Sequence, residues 1–169
     1  MFEAMERKEL HCLYVLGENP AQSEADSQRA TRLLTGLEFI VAQDIFLTKT
    51  AQLADVVLPA TAAWCEAEGT VTNSERRITR VRAAVPPPGE ARDDWRIAAQ
   101  VAQRLEARLP SRRIDLLANE SMFGWRDAQE VWCEHRETTR ARDLDITGLS
   151  WARLDESPVQ WPCKEGAAN

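Results

Sequence analysis

The chain has 169 residues, 44% hydrophobic and 28% charged, ordinary values for a globular sequence of one-domain length that exclude disorder throughout. Its net charge of −6 excludes a general nucleic-acid binder, since neutralising a phosphate backbone takes an excess of Lys and Arg. No apolar run approaches the roughly 20 residues that span a bilayer, and the charged opening MFEAMERKEL has no secretory apolar stretch; the sequence reads as soluble and cytoplasmic.

Residues 1–9 predict one or two amphipathic helical turns with Phe2 and Met5 on one side. The short apolar run of residues 10–16, ended by Gly17, suits a buried strand of a parallel sheet. Ser23 followed by Asp26 predicts a helix cap, and Ala30, Leu33, Leu34 and Leu37 have helical spacing. Residues 39–42 form a second strand candidate, residues 48–54 a short helix capped by Thr48 or Thr50, and residues 55–59 a third strand closed by Pro59. Strand and helix alternating at this spacing predict a three-layer α/β/α, doubly wound, mostly parallel sheet. Residues 70–85 predict a hairpin or extended segments, and Pro86-Pro87-Pro88-Gly89 a stiff linker. A helix follows Asp93 and Asp94, with Trp95, Ala98, Val101 or Ala102, Leu105 and Leu109 as its apolar face. Another helix is expected over 128–137, then an irregular extension from residue 149 whose last four residues lack order. The composition shift divides the chain into a 1–112 α/β domain and a 113–169 helical and irregular extension.

The cysteines, Cys12, Cys65, Cys133 and Cys163, lie far apart with no paired spacing, which predicts buried free thiols rather than a cluster or zinc site. His11 and His135 lack metal-binding spacing and read as structural or surface residues. Arg76, Arg77, Arg80 and Arg82 read first as a solvated strand edge. Ligands of open α/β sheets bind at strand carboxyl ends, where Gly17 to Pro20, Gln43 with Asp44, and residues 66–69 fall. Asn19 offers a donor and an acceptor, and Asp44 can accept both hydrogens of a guanine edge. The pattern alone fits a ligand site or a set of turn and cap residues. Neither a dinucleotide fingerprint nor a P-loop occurs.

The segments LYVLGENPAQSEAD (13–26), FIVAQDIFLTKTAQLADVVLPA (39–60), EAEGTVTNSERRITRVRAAV (66–85) and PPGEARDDW (87–95) resemble consecutive blocks of one family. They are similar to the third domain of catalytic subunits in molybdopterin oxidoreductases, the enzymes with a molybdenum-bis(guanine dinucleotide) cofactor. The resemblance implies the central domain of the formate dehydrogenase and DMSO reductase-like fold, with molybdopterin guanine dinucleotide as cofactor. It implies cofactor contacts at Asn19, Gln43, Asp44, Thr48 and Asp94, with Asp44 reading guanine. Some members, notably nitrate reductases, carry a contacting lysine where this chain has Ala67, which implies no such contact here. The block Asn73-Ser74-Glu75-Arg76-Arg77 resembles a family hallmark and is implied to line the cofactor region.

The family's 4Fe-4S cysteines, its molybdenum ligand and its formate-handling His and Arg belong to segments this sequence does not match, so no catalytic or metal-ligating residue is assigned. The implied partners are the remaining domains of the catalytic subunit, including a C-terminal barrel, and electron-transfer subunits. Half of such a cradle holds a large cofactor weakly, so the chain by itself is expected to show no turnover. GENPAQSEAD, QDIFLTKTA and QWPC resemble formate dehydrogenase alpha subunits, whereas EHRETTRARDLDITGLSWARL (134–154) resembles assimilatory nitrate reductases. Formate oxidation to CO2 is the favoured expectation and nitrate reduction to nitrite the alternative. A stand-alone, non-catalytic nucleotide-binding or interaction module is a third reading.

Overall fold

The computed structural model describes residues 1–108 and 123–167. They pack as two compact units, Met1–Thr61 with Pro87–Ile97, and Ala62–Pro86 with the described residues from Ala98 onward. The chain leaves the first unit after Thr61 and re-enters it at Pro87, so packing does not follow one cut at residue 112, a position outside the described residues.

The first unit contains α1 (Phe2–Glu6), β1 (Cys12–Leu16), α2 (Pro20–Ser23), α3 (Ser27–Thr35), β2 (Phe39–Asp44) and β3 (Val56–Pro59). Its strands form a parallel sheet in the order β1-β2-β3, with Leu13 opposite Ile40 and Ala42 opposite Val57. The period of two sends Leu13, Val15 and Ile40 to one face, where they pack with Met5 of α1, Ala21 of α2 and Leu34 of α3. Leu34 is fully buried, and a leucine so placed contributes about 1.5–3 kcal/mol. The opposite face carries Tyr14, Leu16, Phe39 and Val56, each between 39% and 48% exposed. The fold is thus mixed α/β on a parallel sheet, and α1 to α3 form one helical layer of it.

Local capping departs from the sequence pattern at α3. Its cap is Asp26, whose carboxylate accepts the Arg29 N–H at 2.9 Å. Ser23 instead ends α2, a turn started by Pro20, and its hydroxyl donates to the Asn19 carbonyl at 3.1 Å. Proline is preorganised for a first helical position, so it opens a separate turn that consumes the serine. Residues 51–53 form a single 3-10 turn, and Thr48 Oγ1 accepts the Ala51 N–H at 3.1 Å.

The second unit holds an antiparallel sheet of β4 (Gly69–Thr72), β5 (Arg77–Val81) and β6 (Val159–Gln160), in that order. Asn73 closes the β4–β5 hairpin: its Oδ1 accepts the N–H groups of Glu75 and Arg77, each at 3.0 Å, while Arg76 adopts φ 62°. Ile78, Trp132, Ile146, Leu149, Leu154, Val159 and Cys163 make the core. Trp132 belongs to α5 (Ala128–Thr138), which Asp127 caps, and its indole N–H donates to the Leu149 carbonyl at 2.7 Å.

Several expectations are corrected in this unit. The tail from residue 149 is ordered, with α6 (Trp151–Glu156) and β6, because Val159 pairs with Ile78, a partner no local pattern reveals. Ala167 packs against the core; residues 168 and 169 lie outside the described set. Helix α4 (Asp94–Arg108) buries Ile97 and Ala99 and leaves Ala98 and Leu105 exposed. Its first turn belongs to one unit and the remainder to the other, so no single stripe describes it; Leu109 lies outside the described residues. The cysteines are all free, but only Cys163 is buried, and Cys12 and Cys133 are exposed.

Arg80 is not a solvated edge residue. Its side chain is 6% exposed, and its guanidinium donates to the Gly69 and Val81 carbonyls at 2.8 and 3.0 Å. It also donates to Glu68 at 2.8 Å and Asp155 at 3.2 Å, and lies 3.5 Å over the Trp151 ring. Arg82 joins it on Asp155, and Arg77 pairs with Glu75 at 3.6 Å.

Candidate functional site at the carboxyl edge of the parallel sheet

Parallel strands joined by right-handed crossovers bring their carboxyl ends to one edge. Asn19 follows β1 there, Asp44 ends β2, and Thr48 lies in the loop beyond it. Asp94 is delivered by a different route. The Arg92 N–H donates to the Pro59 carbonyl at 3.1 Å and the Thr61 N–H to the Arg92 carbonyl at 3.0 Å. This short parallel ladder extends the end of β3 and sets the first residue of α4 beside the sheet edge. Thr61 Oγ1 adds a bond to Asp93 at 3.2 Å. Gly17 adopts φ 64°, with open space where a Cβ would stand, so backbone is accessible at the first strand end.

The polar side chains at this edge are held, and the holding defines what each can offer. Asn19 Oδ1 accepts both the Thr50 N–H at 3.1 Å and the Thr50 hydroxyl at 2.9 Å. Thr50, itself fully buried, accepts the Ala21 N–H at 3.0 Å on the same oxygen. With its carbonyl oxygen doubly occupied, Asn19 has its amide nitrogen to offer, which among the described residues bonds Gln22 alone, at 3.5 Å. Of the two roles the sequence allowed, the structure leaves the donor. Asp44 is half-buried, and one carboxylate oxygen takes a long bond, 3.3 Å, from the Phe46 N–H. The Thr48 hydroxyl oxygen is engaged by Ala51, and Thr48 is half-buried.

Gln43 differs from the others. It is fully buried, and both ends of its amide are spent within the protein. Nε2 donates to Asp94 Oδ1 at 2.6 Å and to the Asp94 carbonyl at 3.3 Å, and Oε1 accepts the Tyr14 hydroxyl. Its backbone carbonyl receives the Gly17 N–H at 2.9 Å. Burial, first, and the nearby Asp94 charge, second, push the Tyr14 phenol above its ordinary range, so it remains a donor at neutral pH. The structure therefore joins Gln43 and Asp94 directly and Asn19 to the Thr50 loop. Tyr14 and Thr50 were missed by sequence reasoning. Tyr14 read as one more apolar strand residue, and Thr50 as an alternative cap; only the tertiary pairing marks either.

Among the described residues no group of three His, Cys, Asp or Glu side chains could hold a metal ion, and no helix is long and apolar enough to cross a membrane. Both histidines are exposed, and His11 bonds Glu38 at 2.8 Å.

The chain thus has the architecture of open parallel α/β domains, whose ligands bind at the carboxyl edge of the sheet, and polar side chains gather at that edge here. The chain belongs to the molybdopterin oxidoreductase family, whose model matches residues 1–104, and the family implies a molybdenum–pterin cofactor. The chain is 40% identical over 156 residues to the F420-dependent formate dehydrogenase subunit alpha of Methanocaldococcus jannaschii, covering 92% of this chain and 21% of that one. It is 37% identical over 167 residues to a nitrate reductase of Synechocystis sp., covering 98% of this chain and 22% of the relative. Among solved structures, acetylene hydratase from Pelobacter acetylenicus superposes with a TM-score of 0.67 at 26% identity, over 95% of this chain and 20% of that one. The chain spans about a fifth of the length of the curated relatives it matches.

Proposed function

We propose that this chain is the part of a formate dehydrogenase catalytic subunit that helps hold the guanine dinucleotide arm of the molybdopterin cofactor. The observation that carries the reading is the set of groups at the sheet edge: the Asn19 amide nitrogen as a donor, and the Asp44 and Asp94 carboxylates as acceptors. A carboxylate can take both the N1–H and the amino hydrogens of guanine, and an amide donor suits a phosphate or carbonyl oxygen. The residues present thus fit the group chemically, with Thr48 alongside and Gln43 acting through Asp94. When bound, the cofactor supplies the redox chemistry; this chain's part is to bind and orient it. By itself the chain is expected to show no turnover, and the parent enzyme to act in the cytoplasm with electron-transfer subunits.

A nitrate reductase is the second reading. The similarity to that group extends over 98% of the chain and includes the 134–154 segment. The identity of the molybdenum ligand in the parent gene separates the two: selenocysteine favours formate oxidation. The binding claim itself is tested by adding molybdopterin guanine dinucleotide, or guanosine monophosphate, and following the melting temperature. The expected result is a rise that Asp44→Ala removes; no rise at millimolar ligand overturns the reading, leaving a module that does not hold the nucleotide.

A further inference from the structure

We propose that Tyr14 is a positioning residue for this site: by donating to Gln43 Oε1 it fixes the Gln43 amide so that Nε2 holds Asp94 in its ligand-ready orientation. The inference rests on the nucleotide-binding reading above.

The chemistry of the primary amide carries the argument. A glutamine side chain presents an oxygen and an NH2 of nearly the same shape, and its orientation is set by what each end meets. Here one end meets a hydroxyl and the other a carboxylate oxygen and a carbonyl, both of the latter from Asp94. An amide oxygen cannot donate to a carboxylate, so an inverted amide repels Asp94. A phenol can donate or accept, so Tyr14 alone does not forbid the inverted state; Tyr14 and Asp94 together select one. Gln43 is itself fully buried, so losing the hydroxyl takes from its oxygen the one protein donor it has among the described residues, and the amide loses one of its two anchors. Asp94 Oδ1 is then held less firmly, while Oδ2, which has no hydrogen bond among the described residues, is the acceptor left for a ligand. Because Tyr14 sits on β1, Gln43 on β2 and Asp94 at the start of α4, this relay ties the orientation of the helix-borne carboxylate to two strands of the sheet. The phenol's raised ionisation agrees with a hydroxyl that keeps its proton.

The test is a double-mutant cycle in guanosine monophosphate affinity, measured by calorimetry on the 169-residue chain, with Tyr14→Phe, Asp94→Asn and the pair. Tyr14→Phe is expected to weaken binding about fivefold, the worth of one ordinary hydrogen bond, and the double variant no more than Asp94→Asn alone. Losses that multiply in the double variant, or an unchanged Tyr14→Phe, overturn the relay while leaving the site reading intact. A wild-type chain that does not bind the nucleotide overturns the site reading and the relay with it. A second measurement leaves Tyr14 in place. It is the chain's sole tyrosine, so its ultraviolet ionisation signal is unambiguous. That transition should fall to lower pH in Asp94→Asn; an unmoved transition breaks the link between the two residues.

Discussion

Arg80 offers a sharp test of how the second unit is held together. Its guanidinium meets two backbone carbonyls, two carboxylates and an aromatic face. The two bonds from a charged donor to carbonyls contribute about 1.5 kcal/mol each. The ion pairs add about 0.5 kcal/mol each, because Glu68 and Asp155 remain 44% exposed. The stacked Trp151 adds about 1 kcal/mol, and desolvation of the cation removes about 2 kcal/mol. The net expectation for Arg80→Met is a loss of about 3 kcal/mol. Glu68 and Asp155 can rehydrate, so no buried charge is stranded. Arg80→Lys keeps the charge but has three donors on a point rather than five on a planar fork, so it should recover less than about a third of the loss. Urea unfolding followed by tryptophan fluorescence measures both. If Arg80→Lys comes within about 0.5 kcal/mol of the wild type, a typical effect of a benign surface change, net charge and not fork geometry holds the site, and the reasoning fails.

Two further outcomes are expected. Thr50→Val keeps the side-chain shape but strands the buried Ala21 N–H and leaves Asn19 with one of its two bonds; the cost should be about 2 kcal/mol by urea titration, and an unchanged midpoint would refute that pairing. Acid should destabilise the fold through Asp145, Glu6, Glu130 and Glu137. All four are lowered from their ordinary values, Asp145 chiefly by the Thr147 hydroxyl and the three glutamates chiefly by hydrogen bonds from Arg29, Arg126 and Arg140. A depressed carboxylate contributes fully above its unfolded value and loses that contribution as pH falls through the folded one, so the urea midpoint should drop from about pH 4 downward. Asp145→Asn should shallow that drop; an identical acid profile would count against the assignment.

Local pattern was enough for the three parallel strands of the first unit, helix α3 and helices α4 and α5, and it left residues 70–85 open between a hairpin and extended segments. These elements are written in local periodicity and in punctuation by Gly17, Pro59 and the proline run, which neighbouring residues alone decide. Family blocks carried by the same segments pointed to Asn19, Gln43, Asp44, Thr48 and Asp94. What those residues can offer was set by pairings made in three dimensions. Asn19 became a donor because Thr50, 31 positions away, occupies its oxygen. Gln43 became an internal link because Tyr14 and Asp94 close on it from 29 and 51 positions away. The tail acquired order because Val159 found Ile78. The physical reason is common to all three: a hydrogen bond depends on which donor and acceptor meet in space, and the chain pattern within one turn or strand carries no record of a partner brought in from another element.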